Sequence, residues 1–219
     1  MGATLCVVAA GVCLAEGVVA WVEQLVVPGQ IGSSPDVDGA NVWIVGDETE
    51  CAVVDPVGDV SGIQEVVGER QVRLVLCTHV HPTHVAGAIG LAEATGALIF
   101  LHSDEFPFWA RHRPDRRPDV EVVDGLTVDI GRTRIEAVYT PGHTPGSTCW
   151  HGVDLDVVFT GHTLGAQGPH VAGRAFDIEQ QVASIRGRLF SLRNQTVVHA
   201  GAGPDTRIST QRWDVEFWR

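Results

Sequence analysis

Short runs of β-branched and other apolar residues alternate along the chain with stretches whose apolar positions recur every three or four residues. The runs predict strands at Val42–Val45, Cys51–Asp55, Val72–Cys77, Ala97–Leu101, Leu126–Ile130, Arg134–Thr140, Ser147–Trp150, Val157–Thr160 and Thr196–His199, each ending at Gly, Pro, Asp or a histidine-bearing turn. The longer-period stretches predict helices over Val60–Gly68, Val85–Thr95, Asp104–Arg111 and Ile178–Leu189. An early strand pair, then β-α units, then strands with a helix before the last predict a layered α/β fold with sheets inside and helices outside. No repeat or linker interrupts this order, so residues 22–219 read as one domain and residues 1–21 as an apolar N-terminal extension. No Lys or Arg precedes the apolar start and Glu16 interrupts it, which favours an extension packed on the body over an export signal.

Composition narrows the class without changing this picture. With 219 residues, 44% apolar and 19% charged, the chain can bury a full core and is neither disordered nor a coiled coil. A formal charge of −12 argues against partners rich in phosphate, so neither nucleic acid nor an anionic membrane is expected, and a small-molecule substrate is. The first basic residue is Arg70, and every basic residue is arginine, which excludes a Schiff-base lysine. Five cysteines without a C-x-x-C pair indicate neither a disulfide framework nor a thiolate zinc site; they read as small buried residues in a reducing cytoplasm.

The chemistry is concentrated in histidine. Three histidines, His79, His81 and His84, follow the Val72–Cys77 run in the turn CTHVHPTHVAG. In an extended segment His79 and His81 point to one side, where two imidazoles can grip one ion while His84 is offered from the next helix. His143 stands between two Pro-Gly pairs in YTPGHTPGS, His162 in FTGHTLG and His199 in VVHAGAGP. A single turn histidine is ordinarily bonded to backbone; four strand-end turns carrying histidine are hard to explain that way.

These motifs resemble those of the metallo-β-lactamase superfamily, in its glyoxalase II-like and lactonase-like branches. Thr78, His79, His81, His84 and Gly87 match the family's T-H-x-H-x-D-H-x-G, and Thr140 to Ser147 match T-P-G-H-T-x-G-S with His143 as ligand. The family's G-D-T-L is here Gly161-His162-Thr163-Leu164, its late G-H-G is Gly201-Ala202-Gly203, and Asp55 stands where the family has a buttressing strand-end Asp. The resemblance runs from about Val22 to the C-terminus and implies that family's four-layer αββα sandwich.

The departures are concentrated in the second metal's ligands. The resemblance implies an intact first set of His79, His81 and His143, whereas of the second set only His84 survives, because Thr83 replaces the Asp and Ala202 the late His. His162 replaces the aspartate that bridges two ions. One divalent metal is therefore expected, with His162 as a fourth nitrogen ligand or as an acid-base group, and His84 as the other candidate proton carrier. Zinc is the first choice and iron the second. His199 lies three residues before Ala202 and is expected to make a supporting contact.

The resulting expectation is a metal-dependent hydrolase acting on an ester, lactone, thioester or related acyl substrate. The alternative is a relative that has abandoned hydrolysis for elimination, isomerisation or oxygen chemistry, or only binds a ligand. Persulfide dioxygenases of the superfamily hold one iron at the positions matching His79, His143 and His162. Phe106, Phe108 and Trp109, with the loop 165–176 carrying His170 and Arg174, are candidate pocket walls. The Arg111–Asp119 stretch reads as a solvated loop or a lid, and Trp213, Phe217 and Trp218 as cover for the core or for a homodimer face.

Overall fold

The structure is a computed structural model and describes residues 6–14, 18–27, 39–170 and 177–218, with side chains described from residue 20 onward except those of Pro82, Thr83 and Phe217. Seven strands form the first sheet in sequence order: β1 (Cys6–Leu14), β2 (Val18–Val27), β3 (Ala40–Gly46), β4 (Glu50–Val54), β5 (Gln71–Leu76), β6 (Leu98–His102) and β7 (Val120–Val122). The first four pair antiparallel, and β4 to β7 pair parallel. The parallel crossovers are α1 (Val60–Val67), α2 (Pro82–Thr95) and α3 (Phe106–His112). The second sheet is built from β8 (Thr127–Ile130), β9 (Thr133–Tyr139), β10 (Thr148–Gly152), β11 (Val157–Gly161), β12 (Val197–Ala200) and β13 (Thr206–Arg207). Its order is β13-β12-β11-β10-β9-β8, and α4 (Ile178–Gly187) and α5 (Ile208–Asp214) complete the chain.

Strand alternation explains why two sheets pack with helices outside both. Val42, Ile44, Cys51, Val53 and Val75 face a core shared with Ile63, Val85, Ile89 and Trp109 of the first helices. Their neighbours Trp43, Val45, Ala52, Val54 and Leu76 face the opposite way, against Ile135, Trp150, Val157 and Phe159 of the second sheet. Val138, Cys149, Val158 and Val198 then meet Ile185, Leu189 and Ile208 on the far side. Three apolar layers between four layers of secondary structure make this the αββα sandwich.

The elements expected from the pattern are present, with shifted ends. The helix expected over Asp104–Arg111 is a 3₁₀ turn, Ser103–Glu105, continued by α3, and the Ile178–Leu189 helix closes at Gly187 before a separate 3₁₀ turn, Leu189–Ser191. The pattern missed β1, β2, β7, β13 and α5. The boundary drawn between residues 21 and 22 falls inside β2, which runs unbroken from Val18 to Val27 and pairs with both β1 and β3. Among the described residues no helix is long and apolar enough to cross a membrane.

The aromatic residues proposed as pocket wall divide. Trp109 is buried in the first core and donates its indole N–H to the Arg116 carbonyl at 2.6 Å, and Phe106 packs against the same core. Phe108 lies under the Arg111 guanidinium, 5.2 Å from its ring centre. Trp218 packs against the third core, whereas Trp213 is 82% exposed and covers nothing there. Arg174 lies outside the described residues.

Gly87 seats the first helix of the histidine motif. A Cβ at this position would stand 2.1 Å from the Pro56 carbonyl oxygen, so α2 rests directly on the turn that follows Asp55. Gly87→Ala is therefore expected to lower stability by about 1–3 kcal/mol or more, as overpacking does, read as a lower urea midpoint with unchanged slope.

Candidate metal centre

The histidine turns meet at one end of the sandwich, beyond the carboxyl ends of β5, β11 and β12 and in the β9–β10 connection, beside Asp55 at the end of β4. Four of them are knotted together by backbone. Thr148 N–H donates to the Thr78 carbonyl and Gly201 N–H to the Gly161 carbonyl, at 2.9 and 2.8 Å. Gly161 has φ +51°, and a Cβ there would stand 2.2 Å from Thr78 Oγ1, so only glycine lets the His162 turn touch the His79 turn. Gln181 of α4 donates from Nε2 to the carbonyls of His162 and Thr163, at 3.1 and 2.9 Å, and fixes that turn from the helical side.

The ring nitrogens of His79, His143 and His162 converge, all lying within 4.8 Å of one another. His162 Nδ1 and His143 Nε2 stand 3.3 Å apart. His143 turns its Nδ1 towards the His170 carbonyl at 3.3 Å, where only an N–H is attracted, which leaves the lone pair on Nε2. Two ring nitrogens at this distance need a proton or a cation between them. Nitrogen ligands about 2.0–2.1 Å from a tetrahedral zinc stand roughly 3.3–3.4 Å apart, so the spacing fits two ligands of one ion.

His79 completes the arrangement from the other side. Thr78 Oγ1 donates to Asp55 Oδ2 at 2.5 Å and lies 2.9 Å from His79 Nδ1, while the Thr78 N–H donates to Asp55 Oδ1 at 2.8 Å. With its hydroxyl hydrogen committed to the carboxylate, Thr78 accepts from His79 Nδ1–H, so the His79 lone pair is on Nε2. That atom is buried and has no hydrogen-bond partner among the described residues. An unpartnered lone pair facing two others is what a metal would satisfy.

His81 and His84 occupy different places. His81 is the N-cap of α2 and half-buried; its ring centre lies 5.5 Å from that of His84 and 6.5 Å from that of His162, at the rim of the converging group. His84 is buried beside Asp55 and His79, a second cluster whose ligand atoms also lie within 4.8 Å of one another. Its Nδ1 is 3.9 Å from Asp55 Oδ1. The Thr83 side chain lies outside the described ones. His199 faces the core between the sheets, its Nδ1 3.0 Å from Asp205 and its ring 4.2 Å from that of Trp43, which fits a supporting contact. Asn41, which carried no signal in the sequence, holds the late turn: its side chain donates to the carbonyls of Ala200 and Gly203 at 3.0 and 2.9 Å.

Burial sets the charges. It holds His79 and His162 well below the ordinary imidazole range, helped by the neighbouring histidines, and lowers His84 to about 3. It raises Asp55 to about 7 against the two Thr78 bonds. A buried neutral imidazole favours the fold above its unfolded pKa of about 6.5, and that contribution is lost as pH falls towards the folded value. Asp55 acts in reverse, contributing fully below about 4 and losing this as pH rises through 7. With three lowered imidazoles in the group, the metal-free protein is expected to lose stability between pH 6.5 and 4, and His84→Gln to flatten that slope in denaturation midpoints measured across the range.

Comparison with known proteins gives a consistent result. A family model described as the metallo-beta-lactamase superfamily matches residues 35–201. The probable metallo-hydrolase YqgX of Bacillus subtilis is 27% identical over 191 residues, 79% of this chain and 89% of that protein. A hydroxyacylglutathione hydrolase of Ectopseudomonas mendocina is 31% identical over 210 residues, 87% of this chain and 77% of that protein. The crystal structure of the BLEG-1 B3 metallo-beta-lactamase superposes with a TM-score of 0.75 at 22% identity, covering 90% of this chain and 98% of its own.

Proposed function

The chain belongs to the metallo-β-lactamase superfamily, and from that premise we propose that it hydrolyses a small acyl substrate, a thioester before a lactone or ester, with one divalent ion. His79, His143 and His162 would hold the ion, with His81 at the rim as a fourth nitrogen; zinc is preferred to iron. The observation that carries this reading is the 3.3 Å approach of His162 Nδ1 to His143 Nε2 beside the unpartnered His79 Nε2. Hydrolytic relatives support the reaction class, and the hydroxyacylglutathione hydrolase supports a thioester as the first substrate to try.

When bound, a divalent ion supplies Lewis acidity to an acyl carbonyl and to water. The chain's own residues orient the ligands and move the proton. Asp55 and Thr78 fix the His79 tautomer, as a carboxylate behind a ligating imidazole does. His84 is neutral, with its Nδ1 3.9 Å from Asp55 Oδ1; with His84 lowered to about 3 and the Asp55 carboxyl raised to about 7, Asp55 is the group of the pair that exchanges a proton near neutrality, and His84 would carry one only in passing.

The test is a panel of acyl thioesters, lactones and esters offered to protein reconstituted with one equivalent of zinc. The expected result is thioester turnover that is removed by a chelator and restored by the ion. Full metal loading with no turnover on any class would favour the non-hydrolytic reading. One observation already supports that alternative: the converging trio stands at the positions that hold the single iron in persulfide dioxygenases, with His81 outside it.

A further inference from the structure

Resting on the proposed metal centre, we infer that Glu105 is a positioning residue, a buried clamp that sets the distance between the His79–His81 turn and the His143 turn. Glu105 is fully buried in the 3₁₀ turn between β6 and α3, and no functional motif contains it. Its Oε2 accepts the N–H of Val80, the residue between His79 and His81, at 2.8 Å. Its Oε1 accepts the N–H of Gly146, three residues after His143, also at 2.8 Å. The Thr144 hydroxyl, next to His143, bonds to the same carboxylate. One turn follows a strand of the first sheet and the other connects two strands of the second, so the carboxylate joins ligands carried by different sheets.

The local geometry is built around this contact. A Cβ at Gly146 would stand 2.6 Å from Glu105 Cγ and 3.0 Å from the Glu105 nitrogen, so glycine is what lets the loop reach the carboxylate. A buried carboxyl carries a desolvation cost, seen here as a raised pKa caused first by burial, against which the hydrogen bonds and, last, the charge of His102 act. An acceptor-only group with two oxygens offsets that cost by taking both N–H donors. Glutamine cannot, because its amide offers one oxygen and turns an NH₂ towards the second donor. Aspartate, one methylene shorter, reaches one loop only.

The experiment compares the wild type with Glu105→Gln, Glu105→Asp and Gly146→Ala, using amide hydrogen exchange at Val80 and Gly146 in the metal-free proteins and Zn²⁺ affinity by chelator competition. The clamp predicts faster exchange at one or both amides in every variant and a Zn²⁺ affinity about 10–100-fold weaker, the usual effect of losing a group behind metal ligands. Gly146→Ala keeps the charge and decides the matter if the Glu105 variants fail to fold. Wild-type exchange together with wild-type affinity in the folded variants would overturn the inference, as would full rescue by Glu105→Asp, which would assign Glu105 a role through charge alone. If the wild type binds no Zn²⁺, the metal-centre reading fails separately, and the exchange data alone judge the clamp.

Discussion

Replacing His143 by alanine is expected to strip the metal from the protein and take turnover to background. His143 Nε2 is one of three converging nitrogens, and its ring is aimed by the His170 carbonyl behind it. If a four-ligand zinc site is worth roughly 10–16 kcal/mol, one ligand carries a quarter of that, or about 10²–10³-fold in affinity. His79→Ala is expected to do the same. His84→Ala is the informative contrast: its ring is outside the trio, so metal content stays near the wild-type value while turnover falls by roughly 10²-fold if it serves as general base. Chelator competition beside a turnover assay separates the two patterns. Loss of metal in His84→Ala would move His84 into the ligand set.

The second large effect concerns the three positions, 83, 162 and 202, at which the sequence departs from the family motifs it resembles. Thr83→Asp, His162→Asp and Ala202→His together would restore a carboxylate beside His84, a bridging oxygen donor and a late imidazole. The late turn is already in place for it, since Asn41 and the Gly201–Gly161 backbone bond hold residues 200–203 against the His162 turn. The triple variant is expected to take a second equivalent of metal and to raise thioester or lactone turnover by about 10²-fold, the usual worth of a restored general base. Elemental analysis of the variant beside its kinetics checks this. One equivalent of metal and unchanged turnover would mean that the second position has been lost from the pocket as a whole.

Much of the sandwich was legible because most of its strands alternate between two apolar surfaces or close on a turn residue. Val42 to Val45 and Cys51 to Val54 each send successive side chains to different cores, and both runs stood out as strands. The Cys6–Leu14 segment did not. It is apolar throughout, with no polar position to show a strand period, so it read as an extension although the structure places it in the first sheet. α5 was missed for the opposite reason: ISTQRWD has too few apolar positions to show a helical stripe.

In the site, the histidines were legible from their turns, and the local constraints that arrange them were not. The spacing of His79 and His81 suggested two ligands on one side of an extended segment. The backbone is indeed extended at His81 (φ −124°, ψ 145°), which caps α2, and its ring centre lies 6.5 Å from that of His162. Glu105, Gln181 and Asn41 fix the histidine turns from helices and strands distant in sequence, and nothing in their own neighbourhoods announces it. Thr78 was visible only as a motif residue, and its bridge between Asp55 and His79 emerges from the folded arrangement.

A single ion held by imidazoles is defined by the identity and number of its ligands. X-ray absorption at the zinc edge, combined with elemental analysis of protein loaded to saturation and then passed over a desalting column, measures both. The expected result is close to one zinc per chain, a shell of nitrogen scatterers at about 2.0–2.1 Å with multiple imidazole contributions, and the loss of one of them in His162→Ala. Two tightly held ions per chain, or a coordination shell that His162→Ala leaves unchanged, would contradict it.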